Sequence, residues 1–448
     1  MPALAAAAAA AALNPSLGFY LVSDDFCFLA NAHHYWSEFP FPSGKVFFRP
    51  IQYLFGGLVH SIAGGDLWFW HAAGLAIHAA ATVAFFFVAR EALSVSWAAL
   101  TAALVFAFHG SRPEAVAWVA GWADVLSAGF LLGGLAVYLR KPHGKTLSGL
   151  ATAMFLFACA AGAKETGFVF PLLLPLADWL KQVPWKQAVR RWIPFTAAAC
   201  ALFVWRWTDL GGLGGYINPA TGRAEILSVS WLGPLKVLAL RLWGPLFFPW
   251  NWSREPGWVM GAFFAAALLL YLALFQCRAE RRLLIFALGL TVLGSLPALP
   301  QLLIGADMEK SRSLYLPSAG FSLLLGALAV GKRRVICLAA IAAFHFAALQ
   351  HNLRLWGEVS RLARQVCQQG AAAVAQVPGT ITLQDLPQSI NGVYFLKNCT
   401  ADCLNRESRR SLGWICQQPP ETCPAGSSLV LRWNAGRKRL EPAGARLP

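Results

Sequence analysis

Apolar residues run along this chain in long stretches separated by short polar breaks. A helix needs about 20 mostly apolar residues to cross the hydrocarbon core of a bilayer. Read at that length, the stretches predict eleven spans, near residues 2–22, 67–89, 93–109, 122–139, 147–163, 166–180, 192–208, 257–276, 283–304, 313–330 and 335–351. The segment 230–249 is also apolar, but Pro234, Lys236, Arg241 and Pro245 interrupt it, so it is expected to lie along the membrane interface. After His351, Leu353, Trp356, Val359, Leu362 and Ala363 recur at helical spacing and predict an amphipathic helix over 353–376. Four short strand-like runs follow: Thr380–Leu383, Gly392–Leu396, Leu412–Cys416 and Ser428–Trp433. The expected fold class is an all-α polytopic membrane protein with about eleven transmembrane helices and an interfacial helix region, plus a small C-terminal β-rich appendage outside the cytoplasm. Its expected domains are a membrane domain over 1–351, with a first outer loop at 23–65, and a C-terminal domain over 352–448.

Composition agrees with the pattern. Hydrophobic residues make up 57% and charged residues 13%, against about 25% charged in a soluble domain. That excludes a disordered, collagen-like or disulfide-only chain and reads as a polytopic membrane protein. A net charge of +16 would suggest nucleic acid in a soluble protein, but here the cations sort by side of the membrane. With the N-terminus cytoplasmic, the loops on that side hold Arg90; Arg140, Lys141 and Lys145; Lys181, Lys186, Arg190 and Arg191; Arg278, Arg281 and Arg282; and Lys332, Arg333 and Arg334. This is the usual bias of cytoplasmic loops toward Lys and Arg. A span through 230–249 would move the last two groups to the other side. Most carboxylates, Asp24, Asp25, Glu114, Asp124, Glu165, Asp307 and Glu309 among them, fall on the outer face. The run Ala5–Ala12 also resembles a secretory signal, though it lacks a basic start, and a first span is the preferred reading.

Cys367, Cys399, Cys403, Cys416 and Cys423 fall in the C-terminal part, and Cys27, Cys159, Cys200, Cys277 and Cys337 in or beside the apolar part. The C-terminal spacing suits zinc or disulfides. An oxidising outer side favours disulfides, with the pairing left open.

Five polar clusters stand at helix ends, where ionisable groups are costly to place. Asp24 and Asp25 can act as a general base or hold a divalent cation, Mg²⁺ or Mn²⁺, or simply begin a solvated loop. Arg49, in Phe47-Phe48-Arg49-Pro50, suits a phosphate or an interfacial position. The run His109 to Trp118 carries Arg112, Pro113 and Glu114, and Gly121-Trp122-Ala123-Asp124 follows it. His109 is a ligand, an acid or a satisfied helix-end histidine. Lys164 and Glu165 can neutralise each other or present Lys164 to a lipid phosphate. Glu309 and Arg312 are three apart and able to pair. Arg312 also suits an anionic headgroup, and Tyr315 follows it. His33, His34, His71 and His78 read as packing residues. The sequons at Asn251 and Asn398 are too common a pattern to use. There is no P-loop and no dinucleotide fingerprint.

These residues resemble the membrane-embedded GT-C glycosyltransferases, in particular the O-mannosyltransferases with tetratricopeptide repeats and their bacterial relatives. The matching stretches are Asp24-Asp25; Phe48-Arg49-Pro50-Ile51; Trp70-His71 through His78-Ala79; Phe108-His109 through Glu114 to Asp124-Val125-Leu126; Ala163-Lys164-Glu165; Pro249-Trp250-Asn251-Trp252-Ser253; and Leu314-Tyr315-Leu316-Pro317-Ser318. They run in order across residues 20–351. Arg112 stands where the family has a second histidine, and Ser311 precedes Arg312 where the family has glutamate. No 34-residue repeat is visible in this sequence.

The resemblance implies an inverting transferase that takes a hexose, mannose or similar, from a polyprenyl-phosphate donor at the outer face of a bacterial inner membrane. It passes the sugar to a hydroxyl on a protein or glycan acceptor. The implied roles are catalytic for Asp24 and Asp25, and donor-phosphate binding for Arg49, Lys164 and Arg312. His109, Glu114, Asp124, Glu165 and Tyr315 would bind sugar or acceptor. The implied partners are that lipid-linked sugar, the acceptor and the bilayer, with no nucleic acid; no cofactor is required, and a divalent cation, Mg²⁺ or Mn²⁺, on the carboxylate pair is an option the reaction does not force. A lipid or solute transporter and a non-catalytic assembly protein are the rival readings.

Overall fold

The computed structural model describes residues 1–38, 46–140, 147–215, 217–218, 223–224, 233, 237–238, 242–275, 279–329, 332–374, 381–408, 415–418 and 429–443. The described chain is mostly helical. In order it forms α1 (Pro2–Leu13), α2 (Asp25–Ala30), α3 (Pro50–Ala63), α4 (Leu67–Leu93), α5 (Ser96–Phe108), α6 (Arg112–Val116), α7 (Trp122–Arg140) and α8 (Leu147–Ala163). Then come α9 (Phe170–Leu180), α10 (Trp185–Leu210), α11 (Trp243–Phe247), α12 (Gly257–Phe275), α13 (Arg281–Ser295), α14 (Pro317–Leu328), α15 (Lys332–Val374) and α16 (Thr400–Ser408). Local chemistry sets the boundaries. Pro50 and Pro317 open α3 and α14, where a missing N–H costs nothing. The Asp66 carboxylate caps α4 by accepting the Trp68 N–H at 2.9 Å.

Every stretch read as a span is helical in whole or part, yet five helices among the described residues are long and apolar enough to cross a membrane. They are Leu67–Leu93, Val119–Arg140, Gly257–Leu274, Arg281–Leu299 and Val335–Ala373. They mark the chain as an integral membrane protein. The expected count of eleven is not reached, because prolines and polar breaks shorten the rest. The first stretch leaves α-helix after Leu13 and continues as a 3-10 turn over Asn14–Gly18 containing Pro15. Ser96–Phe108, Ser148–Ala163 and Pro317–Leu328 are apolar but shorter. Residues 230–232, 234–236 and 239–241 of the segment read as interfacial lie outside the described residues, as do Lys141, Lys145 and Arg278.

The amphipathic helix expected to begin at 353 is instead the continuation of the last apolar stretch. α15 runs unbroken for 43 residues, about 65 Å at 1.5 Å per residue, well over the roughly 30 Å of a hydrocarbon core. Beyond it stands a four-stranded sheet. β3 (Ile381–Gln384) lies parallel to both β6 (Ile415–Gln418) and β7 (Leu429–Asn434), and β7 pairs antiparallel with β8 (Arg439–Pro442). The short strands β1 (Ile217–Asn218) and β2 (Arg223–Ala224) pair with each other, as do β4 (Ser389–Ile390) and β5 (Val393–Tyr394).

One apolar core fills the helix bundle. A second joins the first loop to the appendage: Tyr20, Leu21, Phe26, Trp70, Trp118 and Trp122 pack in the same cluster as Trp356, Leu383, Phe395 and Leu404. Trp70 and Trp122 stack at 5.7 Å between ring centres. Two disulfides tie this region together, Cys27–Cys399 and Cys367–Cys403. Cys27, read as part of the apolar region, is thus bonded to the appendage. The Cys416 side chain and Cys423 lie outside the described residues.

Asp25 anchors α2 inside this second core. Its two carboxylate oxygens accept the backbone N–H groups of Ala120 (2.9 Å) and Val22 (3.2 Å). Burial raises its carboxyl well above the ordinary range, against the pull of those amides. A carboxyl raised by folding holds its proton more tightly in the folded chain. Its stabilising contribution is therefore full at low pH and is lost as pH climbs from about 4 through the raised value. The melting temperature of wild type should fall relative to Asp25→Asn as pH rises from 4 to 7; parallel curves would mean that Asp25 ionises as an ordinary surface carboxylate. Packing gives a second test. A Cβ on Gly167 would strike the backbone of Ala160 and Ala161, whereas one on Gly133 would meet only Leu156 Cδ1 at 3.7 Å. Gly167→Ala should destabilise by about 1–3 kcal/mol, and Gly133→Ala should not lower the melting temperature.

Candidate active site

The polar residues singled out in the sequence gather at one end of the bundle. Gly167 lets the 3-10 turn Glu165–Val169 fold back against the end of α8. That turn leaves Lys164 extended at its start and brings its ammonium to Asp124 on the first turn of α7. Lys164 Nζ donates to both oxygens of Asp124, at 2.6 and 2.7 Å. Arg312 sits in the 3-10 turn Ser311–Leu314. Its Nη1 donates to Glu114 Oε1, and its Nε lies 3.9 Å from Asp124 Oδ2. Ser311 Oγ donates to the other Glu114 oxygen at 3.1 Å. Arg312 therefore pairs with Glu114 and not with its near neighbour Glu309. Arg49 Nη2 lies 3.8 Å from Glu165 Oε2, and Arg206 Nη2 donates to Glu165 Oε1 at 3.4 Å.

These residues surround a cavity of about 970 Å³. Asp24, Arg49, Asp124, Lys164, Glu165 and Arg312 all line it. Lys310, Lys397 and Arg206 also line it, so cations outnumber carboxylates on its wall. Phe168, Phe203, Pro297 and Ala298 supply an apolar side, and Trp118 and Tyr394 an aromatic one. Burial works to lower the Lys164 ammonium, and it falls below its ordinary value although Asp124 resists. Burial acts on Arg312 in the same sense, but Glu114, Tyr394 and Asp124 more than offset it and keep the guanidinium charged. Burial pushes the Tyr394 phenol up to about 12, so it stays protonated. Nε of Arg49, Nε of Arg206 and Nε1 of Trp118, in three of the lining residues, are buried donors without an acceptor among the described residues. A wall with this excess of fixed guanidinium and ammonium groups can hold an anion.

Four candidates do not line the cavity. Asp25 points inward onto backbone amides. Glu114 lies beneath Arg312 and positions it. His109 is fully buried, between Ser111 Oγ at 2.8 Å and the Leu246 carbonyl at 3.3 Å, beside the His345 ring. Tyr315 is buried too, its hydroxyl 2.6 Å from His78 Nδ1. Arg112 is a buried cation between the rings of Phe106 and Tyr315, 4.3 Å from each centre. It donates to the Phe106 carbonyl and to Ser318 Oγ.

A cation shared by Asp24 and Asp25 does not fit this arrangement. Both Asp25 oxygens face backbone N–H groups, and Asp24 Oδ1 accepts from Asn398 Nδ2 at 2.6 Å. The carboxylates therefore point to different partners.

Sequence reasoning missed Arg206, Lys310, Tyr394, Lys397 and Asn398. Arg206 carried a signal, a lone cation inside the apolar run Leu202-Phe203-Val204-Trp205-Arg206-Trp207. Tyr394 ends the two-residue strand β5 and Lys310, Lys397 and Asn398 lie in turns or bends, and only tertiary structure brings them here.

No protein-family model matches this chain. It is similar to protein O-mannosyl-transferase Tmtc2 of Drosophila melanogaster, 34% identical over 140 residues, which is 30% of this chain and 15% of that protein. It is also similar to protein O-mannosyl-transferase TMTC2 of Mus musculus, 32% identical over 109 residues, covering 24% of this chain and 13% of the mouse protein. Protein O-mannosyl-transferase Tmtc1 of Drosophila melanogaster is 31% identical over 135 residues. The chain thus spans only about a seventh of the length of the curated relatives it matches. Within that span it is similar to protein O-mannosyl-transferases.

Proposed function

We propose that this chain is an inverting glycosyltransferase of the GT-C kind, moving a hexose, mannose by the likeness of its relatives, from a polyprenyl-phosphate donor to a hydroxyl of a protein acceptor. The observation that carries this reading is one cavity in which the half-buried Asp24 carboxylate shares the wall with Arg49, Lys164 and Arg312. Asp24 would accept the proton of the acceptor hydroxyl. The oxygen then attacks the anomeric carbon, the bond from that carbon to the phosphate oxygen breaks, and the phosphate leaves with the electron pair. Negative charge grows on the leaving phosphate in the transition state. Fixed guanidinium and ammonium groups stabilise that charge most where water is excluded. The apolar side formed by Phe168, Phe203, Pro297 and Ala298 suits a polyprenyl chain arriving from the bilayer. By the charge bias of the loops, the N-terminus is cytoplasmic and the cavity and appendage face the periplasm of a bacterial inner membrane.

Purified protein in lipid, given polyprenyl-phosphate [¹⁴C]mannose and a Ser/Thr-containing peptide, should transfer label to the peptide. Asp24→Asn should lower kcat by about 10²–10⁴-fold, and Arg49→Gln by about 10²-fold. Wild-type activity in Asp24→Asn would sink the assignment of the base. Uptake of solute by sealed vesicles without any glycosidic product would favour a transporter instead.

A further inference from the structure

The loop that carries Asp24 is fastened to the appendage at three adjacent points. The Ser23 N–H donates to the Phe395 carbonyl at 2.7 Å. Asn398 Nδ2 donates to Asp24 Oδ1 at 2.6 Å. Cys27 and Cys399 close a disulfide between segments 372 residues apart in sequence. Ser23 and Cys399, flanking the two partners, both take left-handed backbone, at φ 47° and 61°. A non-glycine residue there is strained and persists only where its surroundings fix it. Behind the contact, Thr400 Oγ1 donates to Gln417 Oε1 at 2.6 Å, and Gln417 Nε2 to the Leu396 carbonyl at 2.9 Å. Cys367–Cys403 fixes the following helix to α15. Tyr394, Lys397 and Asn398 from this same segment line the cavity.

We infer that the C-terminal appendage completes the cavity, and that Asn398, pinned by the Cys27–Cys399 disulfide, is the positioning residue that aims the Asp24 carboxylate. An Asp side chain at a helix start can rotate. One N–H on Oδ1 and a covalent link three residues on leave Oδ2 as the oxygen free to take a proton. The inference rests on the transferase reading and adds to it a residue and a covalent bond that lie outside the bundle.

The test uses the full chain in lipid with the same labelled donor and peptide. Asn398→Ala should lower kcat about 10- to 100-fold with KM for the donor unchanged, because the phosphate groups are untouched. Asn398→His, whose ring Nδ1–H reaches about as far, should recover most of the rate. The double variant Cys27→Ser/Cys399→Ser should show the same kcat loss, and in that background Asn398→Ala should cost little more. Arg432→Ala, an exposed change elsewhere in the appendage, controls for general disturbance of that domain. Full kcat in Asn398→Ala, or failure of Asn398→His to restore it, would overturn the inference while leaving the transferase reading standing. No transfer by wild type would overturn that reading, and this inference with it.

Discussion

The site depends on two buried carboxylates that each pair with a cation of the cavity wall. Asp124 takes Lys164 and Glu114 takes Arg312, while Asp124 also lies within reach of Arg312. Each ion is costly to desolvate, and removing one member of such a pair costs about 3–5 kcal/mol because its partner is left uncompensated. The pairs therefore fix the relation between segments far apart in sequence. α7 is locked to the turn after α8, and α6 to the turn before α14. Arg49, Lys164, Arg206, Lys310, Arg312 and Lys397 line the cavity with Asp24, Asp124 and Glu165, so positive charge is in excess on its wall.

Much of this was legible in the sequence. Runs of apolar residues locate the helices, and polar groups at their ends mark where chemistry can sit. Lys164, Arg312, Arg49 and Asp24 are all conspicuous against apolar surroundings. Which partner each takes was not legible. Arg312 has Glu309 at a helical spacing, but the chain there is a 3-10 turn after left-handed residues at Met308 and Lys310, so the spacing argument fails and Glu114 wins. The adjacent pair Asp24-Asp25 reads in sequence as a general base or a cation-holding pair. At the start of α2 the two side chains diverge, Asp24 just before the helix into the cavity and Asp25 into the core. The span count failed for a related reason: apolar length was visible, whereas the early stop of α1 and the shortness of α5, α8 and α14 follow from local turns and packing.

The appendage shows the limit of reading a chain in order. Its residues share a hydrophobic cluster with the first loop and with the ends of α4 and α7, although several hundred positions separate them. Nothing periodic announces Tyr394 or Asn398. The signal that existed was the cysteine count, and pairing Cys27 with Cys399 requires knowing which loops meet.

The uninterrupted α15 gives the molecule a rotational phase. Each residue in a helix advances the chain by about 100°. An insertion or deletion of one residue near the middle of α15 would thus swing the sheet to another side of the rod, unless a π-bulge absorbed it. The helix works as a keyed shaft, and variation in this protein should be tolerated more readily as substitution along that shaft than as any change in its length.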